Sequence, residues 1–238
     1  MNMDWQTGKV IKIIKETHNT NRYIIEAMQM DTFDFLPGQF ITLDLPIHLK
    51  KNKRLRSYSI ASAPDSSNQF ELLISLVEDG LGTPFIFQQV KEGDELTFRG
   101  PHGVFTLPTN INSDLFLICT GTGIAPFRSM INHIYQQQIG FSNVYIIFGT
   151  RTQNDLLYYN ELRELENKMK NFHFIPVLSR EQWEGKSGYV HPIYMELSHN
   201  NPNAQFMLCG WRNMVDEARA NLNTAGFNKT QIHFELYG

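Results

Sequence analysis

The sequence has little cysteine: Cys119 and Cys209 only, far apart in the chain and neither in a CxxC or Cys/His pair. That excludes a disulfide framework, a zinc site of the usual ligand spacing, and an iron–sulfur cluster held by thiolates of this chain; no metal site is expected. A dominant charge is missing as well. The formal net charge is −3, so any basic patch is local, which argues against a dedicated nucleic-acid protein. No apolar run approaches the roughly 18 residues of a membrane span. The start, MNMDWQTGKV, has neither the positive nor the apolar region of a secretory leader, and a cytoplasmic protein is expected. What remains is an ordinary globular composition of 42% hydrophobic and 12% aromatic residues, enough for one large core or two modest ones.

The chain is written in two patterns. Up to about residue 107, short segments mix β-branched or aromatic residues with polar ones: KVIKIIKE (9–16), RYIIEA (22–27), QFITLDL (39–45), SYSIAS (57–62), FELLISLV (70–77) and DELTFR (94–99). Pro37-Gly38, Pro64-Asp65, Asp79-Gly80, Glu92-Gly93 and Gly100-Pro101 punctuate them. The spacing predicts a six-stranded antiparallel barrel or sandwich, with one short helix near Pro84 to Val90. From about residue 112, continuous apolar runs alternate with helical segments. Strands are expected at 114–119, 143–149, 172–178, 204–210 and 231–236, and helices at 125–138, 156–169 and 214–225. That alternation predicts a parallel α/β sheet. The polar stretch TLPTNINS (106–113) divides the chain into expected domains 1–108 and 112–238.

Chemistry concentrates in a few motifs. Thr120-Gly121-Thr122-Gly123-Ile124-Ala125-Pro126 falls where the first strand of the second half turns into its helix. Glycines there let backbone N–H groups approach a pyrophosphate, and the helix N-terminus favours its charge. A plain tight turn would look the same. The dinucleotide fingerprint of an ordinary dehydrogenase is incomplete, because Pro126 stands at its third glycine and the second strand ends in Gly149-Thr150-Arg151 rather than an acid.

Further motifs occur in a fixed order: Arg56-Ser57-Tyr58-Ser59, Gly80-Leu81-Gly82-Thr83, Gly100-Pro101-His102-Gly103, GTGIAPFRSM (121–130), GTRTQNDLLYYNEL (149–162), Ser179-Arg180-Glu181, Cys209-Gly210 followed by Met214, and the end HFELYG. Together they resemble the plant-type ferredoxin–NADP reductase superfamily of flavoproteins. The resemblance implies an N-terminal six-stranded antiparallel β-barrel of Greek-key type that binds flavin, and a C-terminal parallel α/β domain that binds NAD(P).

The roles implied are specific. FAD is expected rather than FMN, with NADPH or NADH as co-substrate. Arg56 would hold flavin phosphate, a task suited to its bidentate fork; Ser57 and Tyr58 would flank the flavin and Ser59 would lie near its N5. Gly80, Gly82 and Thr83 would take up phosphate at the short helix. Thr120, Gly121, Thr122, Gly123, Ala125 and Pro126 would cradle the dinucleotide, with Arg151, Ser179, Arg180 and Tyr189, and more loosely Lys186, on its phosphates. Cys209, Gly210 and Met214 would border the nicotinamide. The catalytic set implied is Ser59, Cys209, Glu235 and Tyr237, with Tyr237 covering a flavin face and Glu235 exchanging a proton. The family pattern ends on the aromatic residue, whereas here Gly238 follows. Cys119, mid-strand, reads as a buried structural cysteine.

The expected function is a flavin-dependent oxidoreductase that passes electrons singly from NAD(P)H to a separate acidic carrier such as ferredoxin or flavodoxin. A reductase for an oxygenase, free flavin or a ferric compound is the alternative. A non-catalytic flavin- or nucleotide-binding sensor is an alternative of another class. The cationic run KKNKRLRSYS (50–59) is expected to divide: Arg56 faces the flavin, while Lys50, Lys51, Lys53 and Arg54 stay in a loop, solvated or meeting the carrier.

Overall fold

The structure is a computed structural model that describes residues 4–109 and 111–237. Gly238 and residues 1–3 of the expected first domain lie outside the described residues. The chain divides into two compact units, Met1–Leu107 with Arg128–His133, and Pro108–Phe127 with Ile134–Gly238.

The first unit carries six strands: β1 (Gln6–Lys15), β2 (Thr20–Ala27), β3 (Phe40–Asp44), β4 (Leu55–Ser59), β5 (Gln69–Ser75) and β6 (Glu95–His102), with helix α1 (Gly82–Gln89) before β6. They pair antiparallel in the order β4-β3-β6-β1-β2-β5. A bridge from Ile60 to Leu72 joins the two outer strands and closes the sheet as a barrel. Alternation fills the interior: Tyr23, Ile25 and Ala27 of β2 are buried, while the residues between them are not. Phe70 and Phe98, whose rings lie 5.2 Å apart, are 1% and 0% exposed. Each contributes about 1.5–3 kcal/mol by burial. β6 continues to His102, through the Gly100-Pro101 pair that the sequence marks as a turn. The register against β3 shifts between Phe40 and Thr42, and such an irregularity is where a sheet accepts proline. The buried Glu71 of β5 is met by Arg22 of β2 through Nε at 3.0 Å and Nη2 at 2.7 Å, so its charge is paired.

The second unit alternates strand and helix: β7 (Leu115–Thr120), α2 (Ile124–Gln136), β8 (Val144–Thr150), α3 (Tyr159–Lys168), β9 (Phe172–Leu178), β10 (Lys186–Ser187), α4 (His191–Ser198), β11 (Gln205–Trp211), α5 (Arg212–Thr224) and β12 (Ile232–Tyr237). All are parallel, in the order β10-β9-β8-β7-β11-β12. Phe206, Phe116, Tyr145 and His173 stand in register across four strands. Their rings stack at 5.2, 4.7 and 4.7 Å, which fixes the register by side-chain contact as well as by hydrogen bonds. The sequence does not announce β10 or α4, both short. α3 begins three residues later than expected, because Thr152 and Asp155 first build a capped turn over Gln153–Asp155.

The chain runs outward from β7 through β8, β9 and β10, then returns to add β11 and β12 on the other side of β7. The strand order therefore reverses between β7 and β11, and a ligand crevice is expected outside their carboxyl ends.

Candidate functional site

In the first unit, two motifs separated in sequence meet. A Cβ placed on Gly82 would lie 2.9 Å from Arg56 Nε and 3.0 Å from its Cγ, so glycine lets the α1 N-terminus lie against the Arg56 side chain without displacing it. Arg56 Nη1 donates to the carbonyls of Lys53 (3.2 Å) and Leu55 (2.8 Å), which orients the guanidinium. Among the described residues no carboxylate pairs with it. A half-buried cation beside free helix N–H groups is a place for a phosphate.

The other first-unit residues sort by contact. The Ser57 hydroxyl lies 3.0 Å from that of Thr42; Ser59 is buried. Tyr58 packs against the barrel core, and burial, its largest influence, pushes the phenol well up, Arg56 opposing and Tyr23 adding. The Thr83 hydroxyl accepts from Val77 N–H at 2.8 Å and donates to the Val77 carbonyl at 3.2 Å. Its one proton is used, so a phosphate there would meet the backbone N–H of Gly82 and Thr83 rather than this side chain. Gly80 N–H closes the same loop on Val77.

In the cationic run Arg56 lies on β4 and the lysines precede that strand. Arg54 pairs with Asp44 at 2.7 Å. Lys50, Lys51 and Lys53 are exposed, and the Lys51 ammonium lies 5.4 Å from the centroid of the Trp5 ring.

In the second unit the site lies at the strand reversal. Gly121–Gly123 form a single 3-10 turn between β7 and α2. A Cβ on Gly123 would overlap the Cys209 carbonyl oxygen, and one on Gly210 would overlap the Thr120 hydroxyl. Gly210 also has φ +136, a conformation that favours glycine. Trp211 N–H donates to that hydroxyl at 3.2 Å. The turns after β7 and β11 are thus interlocked through backbone, while Gly121, at φ +54, faces open space. Thr122 is half-buried beside it.

Cys209 is buried, in register with Cys119 on one side and Glu235 on the other. Burial is the main cause that pushes its thiol far up; Glu235 and Cys119 add to this, and a hydrogen bond from Tyr237 opposes it. At neutral pH it is a protonated thiol. Glu235 and Tyr237 lie on β12, the sheet edge, so three of the four expected catalytic residues share one corner of this unit.

Three expected ligand residues are buried. Met214 is buried in the core of the second unit, because the first turn of α5 turns that side chain inward. Ala125 and Pro126 are likewise buried and can offer a ligand little beyond the Ala125 N–H.

Arg151 and Arg180 lie at the carboxyl ends of β8 and β9. Arg180 N–H donates to the Arg151 carbonyl at 2.9 Å, and Ser179 N–H and Oγ both reach the Thr150 carbonyl, at 2.9 and 3.1 Å. Both arginines, Lys186 and Tyr189 are exposed. Sequence reasoning missed the contact that organises this corner, between Gln153 and Glu181. Neither residue type signals it locally.

A phosphate-bearing cofactor fits what is present: an oriented arginine without a carboxylate, a glycine pressed onto it, and a glycine turn open on one side. Residues 7–107 match the oxidoreductase FAD-binding domain and residues 117–220 the oxidoreductase NAD-binding domain. Ferredoxin–NADP reductase B of Sorangium cellulosum is 33% identical, over 86% of this chain and 86% of that protein. The anthranilate 1,2-dioxygenase electron transfer component of Acinetobacter baylyi is 28% identical over 95% of this chain, which spans 65% of that protein. A ferredoxin NADP+ reductase from Neisseria gonorrhoeae, solved with FAD and NADP, superposes with a TM-score of 0.81 at 25% identity, covering 98% of both chains. The fold is also that of an Amycolatopsis cytochrome P450 reductase, with a TM-score of 0.88 at 24% identity over 98% of this chain and 70% of that one. An FAD-binding domain followed by an NAD-binding domain defines a flavin- and nicotinamide-linked oxidoreductase. The chain belongs to the ferredoxin–NADP reductase superfamily.

Proposed function

We propose that the chain moves electrons from NAD(P)H through FAD to a separate one-electron carrier, with residues 1–108 holding the flavin and residues 112–238 the dinucleotide. The observation that carries this reading is the interlock of Gly123 with Cys209 and of Gly210 with Thr120 at the strand reversal. It fixes a glycine turn open to a ligand beside a buried thiol.

When bound, FAD takes an electron pair from the nicotinamide and can give electrons up singly. The protein's part is binding, orientation and exclusion of water. Arg56 and the N–H groups of Gly82 and Thr83 neutralise flavin phosphate, and Tyr58 offers an aromatic surface. Ser59 is the hydroxyl assigned to the flavin's reacting edge. The N–H groups of the 121–125 turn meet the dinucleotide pyrophosphate, while Ser179, Arg180, Arg151 and Tyr189 take its remaining phosphate, which favours NADPH. Cys209, kept neutral by burial, orients the nicotinamide without adding charge. Tyr237 would offer the flavin an aromatic surface, and Glu235 would supply a carboxylate for proton exchange.

The carrier is assigned as an acidic ferredoxin or flavodoxin, because the exposed Lys50, Lys51 and Lys53 offer a local cationic face on a chain of net charge −3. With only two cysteines, both buried, the chain has no thiolate set for an iron–sulfur cluster of its own. No helix among the described residues is long and apolar enough to cross a membrane, and the reading places the chain in the cytoplasm, with its NAD(P)H. A second reading, the reductase component of an oxygenase, is favoured by the likeness to the anthranilate dioxygenase component. A panel of ferredoxins, flavodoxins, oxygenase components, free flavin and ferric chelates, each tested with NADPH and the purified protein, separates them. Fastest turnover with an acidic carrier supports the first reading, and turnover with free flavin or ferric chelates alone refutes it.

A further inference from the structure

Glu181 follows Arg180 in the chain and pairs with neither Arg180 nor Arg151. Arg180 adjoins it in sequence, and the Arg180 N–H bond to the Arg151 carbonyl, at 2.9 Å, brings the two arginine backbones together. Both guanidiniums are exposed. Among the described residues no carboxylate pairs with either.

Both oxygens of Glu181 are instead held by one uncharged residue. Gln153 donates its backbone N–H to Oε2 at 2.7 Å and its side-chain Nε2 to Oε1 at 3.0 Å. The donor is itself fixed: Gln153 opens the turn in which Thr152 N–H and Oγ1 both donate to Asp155 Oδ2, at 3.0 and 2.8 Å. The acceptor loop is tied by Ser187 Oγ to the Glu181 carbonyl at 3.2 Å and by Trp183 Nε1 to the Lys186 carbonyl at 2.8 Å.

A carboxylate beside guanidiniums ordinarily forms a bidentate ion pair with one of them. Such a pair would neutralise the cation and compete with an incoming phosphate. Two N–H donors from a neutral glutamine take one lone pair on each carboxylate oxygen and fix its direction without adding charge, so the acid has a partner and the arginines stay unpaired.

We propose that Gln153 is a positioning residue: by occupying both oxygens of Glu181 it keeps that acid off Arg151 and Arg180, and so preserves their affinity for a phosphate of the dinucleotide. The inference rests on the nucleotide reading above, and adds to it a residue that touches no ligand. Its effect falls on the 2′-phosphate, the charge that distinguishes NADP+ from NAD+.

Calorimetric titration of NADP+ and NAD+ into wild type, Gln153→Leu and the double variant Gln153→Leu/Glu181→Gln tests it, with circular dichroism to confirm folding. Held only by the backbone N–H of residue 153, Glu181 turns its other oxygen to an arginine, and NADP+ affinity falls about tenfold while NAD+ affinity changes less than about twofold. The double variant, whose residue 181 carries no charge, recovers NADP+ affinity to within about threefold. An equal loss for both dinucleotides, no loss for either, or no recovery in the double variant overturns the proposal. If the wild-type protein binds neither dinucleotide, the nucleotide reading itself fails and this inference with it.

Discussion

Gly123 lies so close to Cys209 that a Cβ on the glycine would overlap the Cys209 carbonyl oxygen and come within 2.7 Å of its carbon. The obstacle is backbone, which cannot turn aside as a side-chain tip can. The turn after β7 therefore tolerates no side chain at this position while the turn after β11 keeps its place.

Gly123→Ala is accordingly expected to destabilise the protein by about 1–3 kcal/mol, as overpacking does, and to weaken NAD(P)H binding by displacing the Cys209-Gly210 turn. Gly121→Ala serves as the contrast, since its Cβ meets nothing within 4 Å and only the φ of +54 opposes it. It should cost about 1 kcal/mol. Denaturant unfolding ranks the two; a Gly121→Ala variant less stable than Gly123→Ala would contradict the interlock.

Arg56→Ala should release flavin, because the helix N–H groups then face phosphate without a cation. Lys51→Glu should retain flavin and weaken only carrier association, with an effect that shrinks as salt is raised and exposed charges are screened. Absorbance of the purified variants reads the first outcome. Steady-state KM for the carrier at low and high ionic strength reads the second.

The contrast between these two cations was legible in the sequence, since Arg56 shares a strand with Tyr58 and Ser59 while the lysines sit in a loop. The barrel strands, the parallel sheet and the glycine turn were legible too, because period, apolar runs and glycine are local signals. Register is not local. Nothing near Cys119 reveals that it stands level with Cys209, and nothing near Gln153 reveals Glu181. Met214 follows a cysteine–glycine pair at the family's spacing, yet the spacing does not say which way its side chain turns. Thr83 carries a hydroxyl where a phosphate ligand is expected, but Val77 already uses its proton.

Both thiols are pushed well up, burial being the main cause in each case. The unfolded chain ionises them above about pH 8.5, whereas the folded protein keeps their protons. The folded state then binds more protons than the unfolded one, so stability is intact below that pH and declines as pH rises above it. Replacing both residues, Cys119→Ala with Cys209→Ala, should flatten the decline between about pH 8.5 and 9.5, below the range where tyrosine ionises. Ellman's reagent should find neither thiol in the native protein at pH 8 and both, Cys119 and Cys209, after denaturation. Rapid labelling of the folded protein would refute the buried, neutral thiol on which the nicotinamide role depends.

The most direct test of the central claim is an anaerobic titration of the purified, flavin-loaded protein with NADPH and separately with NADH, followed by flavin absorbance. NADPH is expected to bleach the flavin, and Cys209→Ser to slow the bleaching about tenfold or more in stopped flow, as loss of orientation does. A flavin that stays oxidised with both dinucleotides would contradict the central claim.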